Sequence, residues 1–112
     1  NGCKIEGTVR NSILFPGVQI EKGAVVENSV LFFSNQVKEN CRLNKVVADV
    51  NSIFGKNAVI GPEICDEKTE VTVIGWKNEV PDNTVIGEGA TIYPDLGQTN
   101  WPDCVKAGEV LR

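Results

Sequence analysis

The chain repeats itself every 17 residues, and this period limits its possible folds more than any other feature. Asn11-Ser12-Ile13-Leu14 returns as Asn28-Ser29-Val30-Leu31 and again as Lys45-Val46-Val47-Ala48. The same offset carries Ile20-Glu21-Lys22-Gly23-Ala24 onto Val37-Lys38-Glu39-Asn40-Cys41 and then onto Phe54-Gly55-Lys56-Asn57-Ala58. Extended backwards, it reaches Cys3-Lys4-Ile5-Glu6-Gly7. Inside each unit runs a shorter beat of six, with apolar residues at Cys3 and Val9, Ile20 and Val26, Val37 and Leu43, Phe54 and Ile60. The fifth position of each hexapeptide is usually smaller: Gly7 and Ile13, Ala24 and Val30, Cys41 and Val47, and Ala58. A third side, holding Leu14-Phe15, Leu31-Phe32 and Ala48-Asp49, is one residue short, which gives 17 instead of 18. Which member of each of these pairs points inward stays open.

A beat of six cannot come from an amphipathic helix, whose apolar positions recur about every 3.6 residues. It suits a flat side made of one short strand and one turn. Three such sides close a triangular coil, and coils stack by strand pairing at about 4.8 Å. The first residue of each hexapeptide projects into the prism; the fifth sits nearer a corner, where small side chains fit. Gly, Asn and Asp near the corners suit turns with positive φ. One coil cannot bury its apolar side alone, so the stack is stable only as several repeats. The expectation is an all-β, single-domain parallel β-helix, a hexapeptide-repeat solenoid, over residues 1–92. Gly61 to Val73 breaks the beat and reads as an inserted loop. The beat resumes in sixes at Ile74, Val80, Ile86 and Ile92. Residues 93–112, with Pro94 and Pro102 and no repeat, read as a capping tail that has room for one helical turn. In that tail Trp101 is expected as a cap residue.

Composition narrows the function. There is no histidine among the 112 residues. A histidine-based acyltransferase or a histidine-ligated zinc hydratase, both known uses of such prisms, is therefore not expected of these residues. No Asp/Glu pair stands out for acid–base work, and no metal or cofactor is expected in this stretch. Gly87-Glu88-Gly89 lies inside a clean hexapeptide, without the strand-to-helix context of a phosphate loop. The net charge of −4 is spread without a basic cluster, which argues against nucleic-acid or anionic-membrane binding. No apolar run is long enough to span a bilayer. Cys3, Cys41, Cys65 and Cys104 show no Cys-x-x-Cys spacing and read as reduced thiols of a cytoplasmic protein, with Cys3 and Cys41 in the core. The chain starts at Asn1 and has no methionine, which reads as a piece of something longer. Trp76, at an outward position of a repeat, is the candidate interface residue.

The run Gly2-Cys3-Lys4-Ile5-Glu6-Gly7-Thr8-Val9-Arg10-Asn11-Ser12-Ile13-Leu14-Phe15 resembles the start of the C-terminal β-helix of the glucose-1-phosphate adenylyltransferases or their non-catalytic paralogues. Val26 to Leu31, Asn40 to Asp49, Val71 to Gly75 and Val80 to Gly87 continue the resemblance. The resemblance implies a left-handed coil. It also implies a parent that converts ATP and glucose 1-phosphate to ADP-glucose and pyrophosphate with Mg2+, in glycogen or starch synthesis. The catalytic residues and the metal would then lie in an N-terminal nucleotidyltransferase domain. This stretch would serve subunit contact and regulation, in a homo-oligomer or beside a paralogous subunit. In plant members of that family, activator-binding lysines fall near two places here, which makes Lys45 and Lys77 the candidate effector-binding residues. Two alternatives remain: a relative of another specificity, such as a mannose-1-phosphate guanylyltransferase, and a free-standing β-helical binding module.

Overall fold

A computed structural model describes residues 3–62, 68–96 and 101–112. Every regular element among them is a strand of two or three residues, and all pairing is parallel. The strands form three flat sides. Side A stacks Lys4–Ile5, Gln19–Ile20, Gln36–Val37, Ile53–Phe54 and Glu79–Val80. Side B stacks Thr8–Arg10, Val25–Glu27, Arg42–Asn44, Val59–Ile60, Val85–Ile86 and Cys104–Val105. Side C stacks Ile13–Leu14, Val30–Leu31, Val46–Ala48, Thr72–Ile74, Thr91–Ile92 and Val110–Leu111. The chain visits the sides in the order A, B, C and then repeats, which makes a triangular β-solenoid of about six turns.

The interior consists of apolar columns. Ile20, Val37, Phe54 and Val80 stack inside side A, and Val26, Leu43, Ile60, Ile86 and Val105 inside side B. Leu31, Ala48, Ile74 and Ile92 fill side C. On the third side it is thus Leu31 and Ala48 that point inward, and Phe32 and Asp49 that point out. Burying each Val, Leu, Ile or Phe of these columns stabilises by about 1.5–3 kcal/mol relative to exposure. Ala24, Cys41, Ala58 and Ala90 take the cramped places beside the corner, as the hexapeptide pattern predicts.

The corners explain the Asn and Gly content. Gly23, Asn40, Asn57 and Asn83 have φ between 59° and 80° at the turn from side A to side B. Gly17, Ser34, Asn51, Lys77 and Asp95 have φ between 56° and 84° at the corner that follows side C, and Asn11, Asn28 and Lys45 have φ between 49° and 57° between B and C. Left-handed backbone is easiest for Gly and Asn, so these residues set where each side ends. Polar side chains then tie successive corners together. Asn35 donates to the Phe32 and Ala48 carbonyls and accepts from the Ser52 amide. Asn78 donates to the Gly75 and Tyr93 carbonyls and accepts from the Leu96 amide. Among the described residues no buried side-chain nitrogen or oxygen lacks a partner.

Three details differ from the sequence reading. The first turn is not offset by 17 residues on side A: Lys4 pairs with Gln19 and Ile5 with Ile20, an offset of 15. The corner at Glu6-Gly7 omits the two-residue turn that Lys22-Gly23 makes below it. It can do so because Gly7 lies against the Ala24 and Glu21 carbonyls, where a Cβ would collide. Cys3, expected in the column of Ile20, instead donates its thiol to the Phe15 carbonyl at 3.3 Å and is only half-buried. Second, Ile13, Val30 and Val47 point outward; the shortened corner turns Ser29 and Val46 inward instead. Third, the segment after Ile60 rejoins side C at Thr72, so Thr72 and Val73 are strand residues, in register with Val46 and Val47. The middle of the insertion, including Cys65, lies outside the described residues.

Beyond Tyr93 the chain covers the preceding turn with two more strands in parallel register, Cys104 on Val85 and Val110 on Thr91. Trp101 packs against the core there. No described residue is helical.

Candidate functional site

Side C differs from side A on its outside. Its outward row runs Ile13, Val30, Val47, Val73, Thr91 and Val110 through the stacked pairs. Next to the buried column, on its other flank, lie Phe15, Phe32, Asp49, Gly75, Tyr93 and Arg112. Phe15 stacks on Phe32 with ring centroids 4.7 Å apart and meets Phe33 edge-on at 5.1 Å. Ile13, Phe33, Val73, Trp76, Tyr93 and Val110 are each 43–60% exposed, and all six lie on side C or its trailing corner. Exposed apolar patches of this continuity are typical of contact surfaces. The outer row of side A, by contrast, is Lys4, Gln19, Gln36, Ile53 and Glu79.

In the middle of side C the aromatic row is interrupted by Asp49 and Gly75, and a cleft of about 360 Å³ opens there. Phe32, Trp76, Tyr93 and Pro94 wall it, with Val47 and Val73 on the far flank and Ile74 at its base. Gly75 is required: a Cβ there would lie 2.5 Å from the Pro94 nitrogen. The Trp76 carbonyl accepts from the Asp95 amide at 2.9 Å, which fixes the corner that carries the indole. Asp49 supplies the only carboxylate among the lining residues. One of its oxygens accepts from the Val50 amide at 2.7 Å. At the far end of the row the Arg112 guanidinium lies 5.3 Å from the centroid of the Tyr93 ring.

The structure therefore places Trp76 on this apolar surface. Lys45 and Lys77 lie at opposite edges of side C, one at its leading corner and one at its trailing corner. Both have left-handed backbone, with φ of 57° and 56°. Lys45 continues the corner position of Asn11 and Asn28, and its ammonium donates to the Thr69 carbonyl. Its neighbour Asn44 accepts from Asn28 at 3.1 Å and donates to the Pro62 carbonyl at 3.0 Å. Asn44 and Lys45 thus hold both feet of the insertion. Asp49, Phe32 and Tyr93 were not singled out from sequence. The 17-residue repeat does put Phe32 beside Phe15, but the offset linking Asp49 to Tyr93 is hidden by the insertion.

Cys41 is fully buried, and desolvation pushes its thiol up to about 12. Among the described residues Cys3, Cys41 and Cys104 form no disulfide, and Cys104 is exposed on side B. Among the described residues no group of three His, Cys, Asp or Glu could hold a metal ion. No helix among them is long and apolar enough to cross a membrane.

Comparison with known proteins gives a family. A family model described as "GlmU-like, C-terminal hexapeptide" matches residues 1–75. A glucose-1-phosphate adenylyltransferase of Acetivibrio thermocellus is 33% identical over 111 residues, covering 90% of this chain and 26% of that protein. One of Desulfitobacterium hafniense is 35% identical over 97 residues, covering 85% of this chain and 24% of that protein. The chain thus spans about a quarter of the length of these curated relatives. No solved structure matches it. With the six-residue beat, the three parallel sides and the family match in agreement, the chain belongs to the GlmU-like C-terminal hexapeptide family, and its prism is a left-handed β-helix.

Proposed function

We propose that this chain is the C-terminal oligomerisation and regulatory domain of a glucose-1-phosphate adenylyltransferase. The observation that carries this reading is the similarity to proteins of that name along 85–90% of the chain. The whole protein would convert ATP and glucose 1-phosphate to ADP-glucose and pyrophosphate, for glycogen or starch synthesis, in the cytoplasm. The chemistry would be performed by an N-terminal nucleotidyltransferase domain. Magnesium, in this reading, would be bound in that domain and not in this stretch. The β-helix contributes a stiff prism and a contact surface, namely the apolar outside of side C with Trp76 on it.

The geometry favours structural work for the two lysines. Lys45 already uses its ammonium on the Thr69 carbonyl, and Lys77 occupies a corner turn that Asn51 and Asp95 occupy in neighbouring coils. A phosphorylated effector held by both would have to span side C.

The test is the full-length gene product supplied with ATP plus glucose 1-phosphate, with pyrophosphate release as readout. Magnesium-dependent release with this pair and not with GTP plus mannose 1-phosphate is the expected result. Turnover of the guanylyl pair alone would assign the chain to the other specificity. Inactivity with both would overturn the enzymatic parent.

A further inference from the structure

We infer that the cleft at the centre of side C is a receptor for an arginine side chain presented by an apolar protein surface. The inference rests on the reading of side C as a contact face and names the chemistry that the face selects. Three observations lead to it. The cleft is walled by Phe32, Trp76 and Tyr93, whose ring faces attract a cation, and a planar guanidinium most of all. Its one carboxylate, Asp49, has no cationic partner among the described residues and accepts only a backbone amide. Tyr93 already receives a guanidinium from its own chain, since Arg112, itself outside the cleft lining, lies over its ring.

The surroundings decide between a small ligand and a protein. One flank of the cleft is formed by Val47, Val73 and Thr91 of the outward row, whose apolar continuation along side C a small cation would leave in water. A protein segment with apolar residues around one arginine would cover that row and satisfy Asp49 together. An apolar partner without a cation would leave Asp49 facing a dry surface, at the cost of an unpaired charge. Asp49 thus acts as a selector, by penalising partners that bring no positive group.

The experiment is an NMR titration of the chain with the acetylated, amidated peptide Leu-Arg-Leu and with its citrulline counterpart, which has the same shape and no charge. Trp76 and Trp101 give separate indole signals, so Trp101 serves as an internal control. The arginine peptide is expected to shift the Trp76 indole and the Val73 and Tyr93 amides saturably, about tenfold more tightly than the citrulline peptide. Asp49→Asn should abolish that preference while leaving the weaker apolar binding in place, and Trp76→Ala should remove both. Equal binding of the two peptides, or a preference that survives Asp49→Asn, overturns the proposal while leaving an apolar contact face intact. No shift with either peptide at millimolar concentration overturns it as well. Shifts of the same signals on concentrating the chain alone, abolished by Arg112→Gln, would replace the proposed partner with a second copy. None of these outcomes depends on pyrophosphate release, so the parent activity stands or falls separately.

Discussion

Sides A and C of the prism have equivalent interiors and opposite exteriors. Inside, Ile20, Val37, Phe54 and Val80 do for side A what Leu31, Ala48, Ile74 and Ile92 do for side C. Outside, side A presents Lys4, Gln19, Gln36 and Glu79, while side C presents Ile13, Val30, Val47 and Val73. The two exteriors are equally compatible with strand pairing, because successive side chains of a strand point to opposite faces. The inner columns therefore carry the fold, and the outer rows are free to carry contacts. The apolar exterior of side C is not needed to close the coil, and the proposed function assigns it to contact with a partner.

That contrast can be broken first from the inside. Phe54 is the largest fully buried side chain among the described residues. Phe54→Ala should lower unfolding free energy by about 3–5 kcal/mol in a denaturant titration. A loss below about 1 kcal/mol would mean that the columns do not hold the prism together.

The second prediction uses the same interior and pH. The folded thiol of Cys41 is held at about 12 by burial, above its ordinary value of 9.0. A raised folded pKa means that the native state keeps its proton where the unfolded chain has lost it. The stabilisation is complete below the ordinary thiol value and is lost as pH rises from about 9 through about 12. Above pH 9 the stability of the native chain should fall by up to about 1.4 kcal/mol per pH unit from this one group. Cys41→Ala should flatten the alkaline slope of unfolding free energy against pH. An unchanged slope in that variant would exclude the thiol as its source. Exposed Cys104, by comparison, should react with a thiol reagent without unfolding.

The exteriors are compared most directly by placing the same charge on each. Val73→Lys on side C and Gln36→Lys on side A should each change stability by no more than about 0.5 kcal/mol. Only Val73→Lys should weaken assembly of the full-length protein, by about tenfold or more in sedimentation equilibrium. Equal behaviour of the two variants would remove the distinction between the sides.

The smallest effect is expected at the corner between B and C. Lys45→Asn restores the residue that Asn11 and Asn28 place there, so relief of left-handed strain should roughly cancel the lost bond to Thr69. A net change within about 0.5 kcal/mol by thermal unfolding fits the structural role. In the full-length enzyme, loss of response to a phosphorylated effector in this variant would return Lys45 to the effector site.

Much of this architecture is legible in the residue order. The beat of six names the inward columns at Ile20, Val26, Val37, Leu43, Phe54 and Ile60, and the Asn and Gly residues mark the corners. The shortened corner is where the reading fails. Val30 and Val47 look like inward fifth residues, but losing one residue at the turn moves Ser29 and Val46 inside, since a one-residue shift reverses every side chain. Gly7 likewise reads as a repeat position, although its missing Cβ lets the first corner close two residues early against the Ala24 and Glu21 carbonyls.

The sequence by itself determined the period, the stacked interior and the absence of histidine chemistry, because those depend on which residue types recur at fixed intervals. Only the tertiary structure decided that Phe32, Asp49, Trp76 and Tyr93 share one cleft. Between Asp49 and Trp76 the chain runs through two further sides and the insertion before returning to side C. Their proximity comes from stacking of separate turns, and the offset that stacks them is 26 residues instead of 17 once the insertion is crossed. Local pattern sets what each turn looks like, but the registry between turns, a long-range property, sets which outer residues meet.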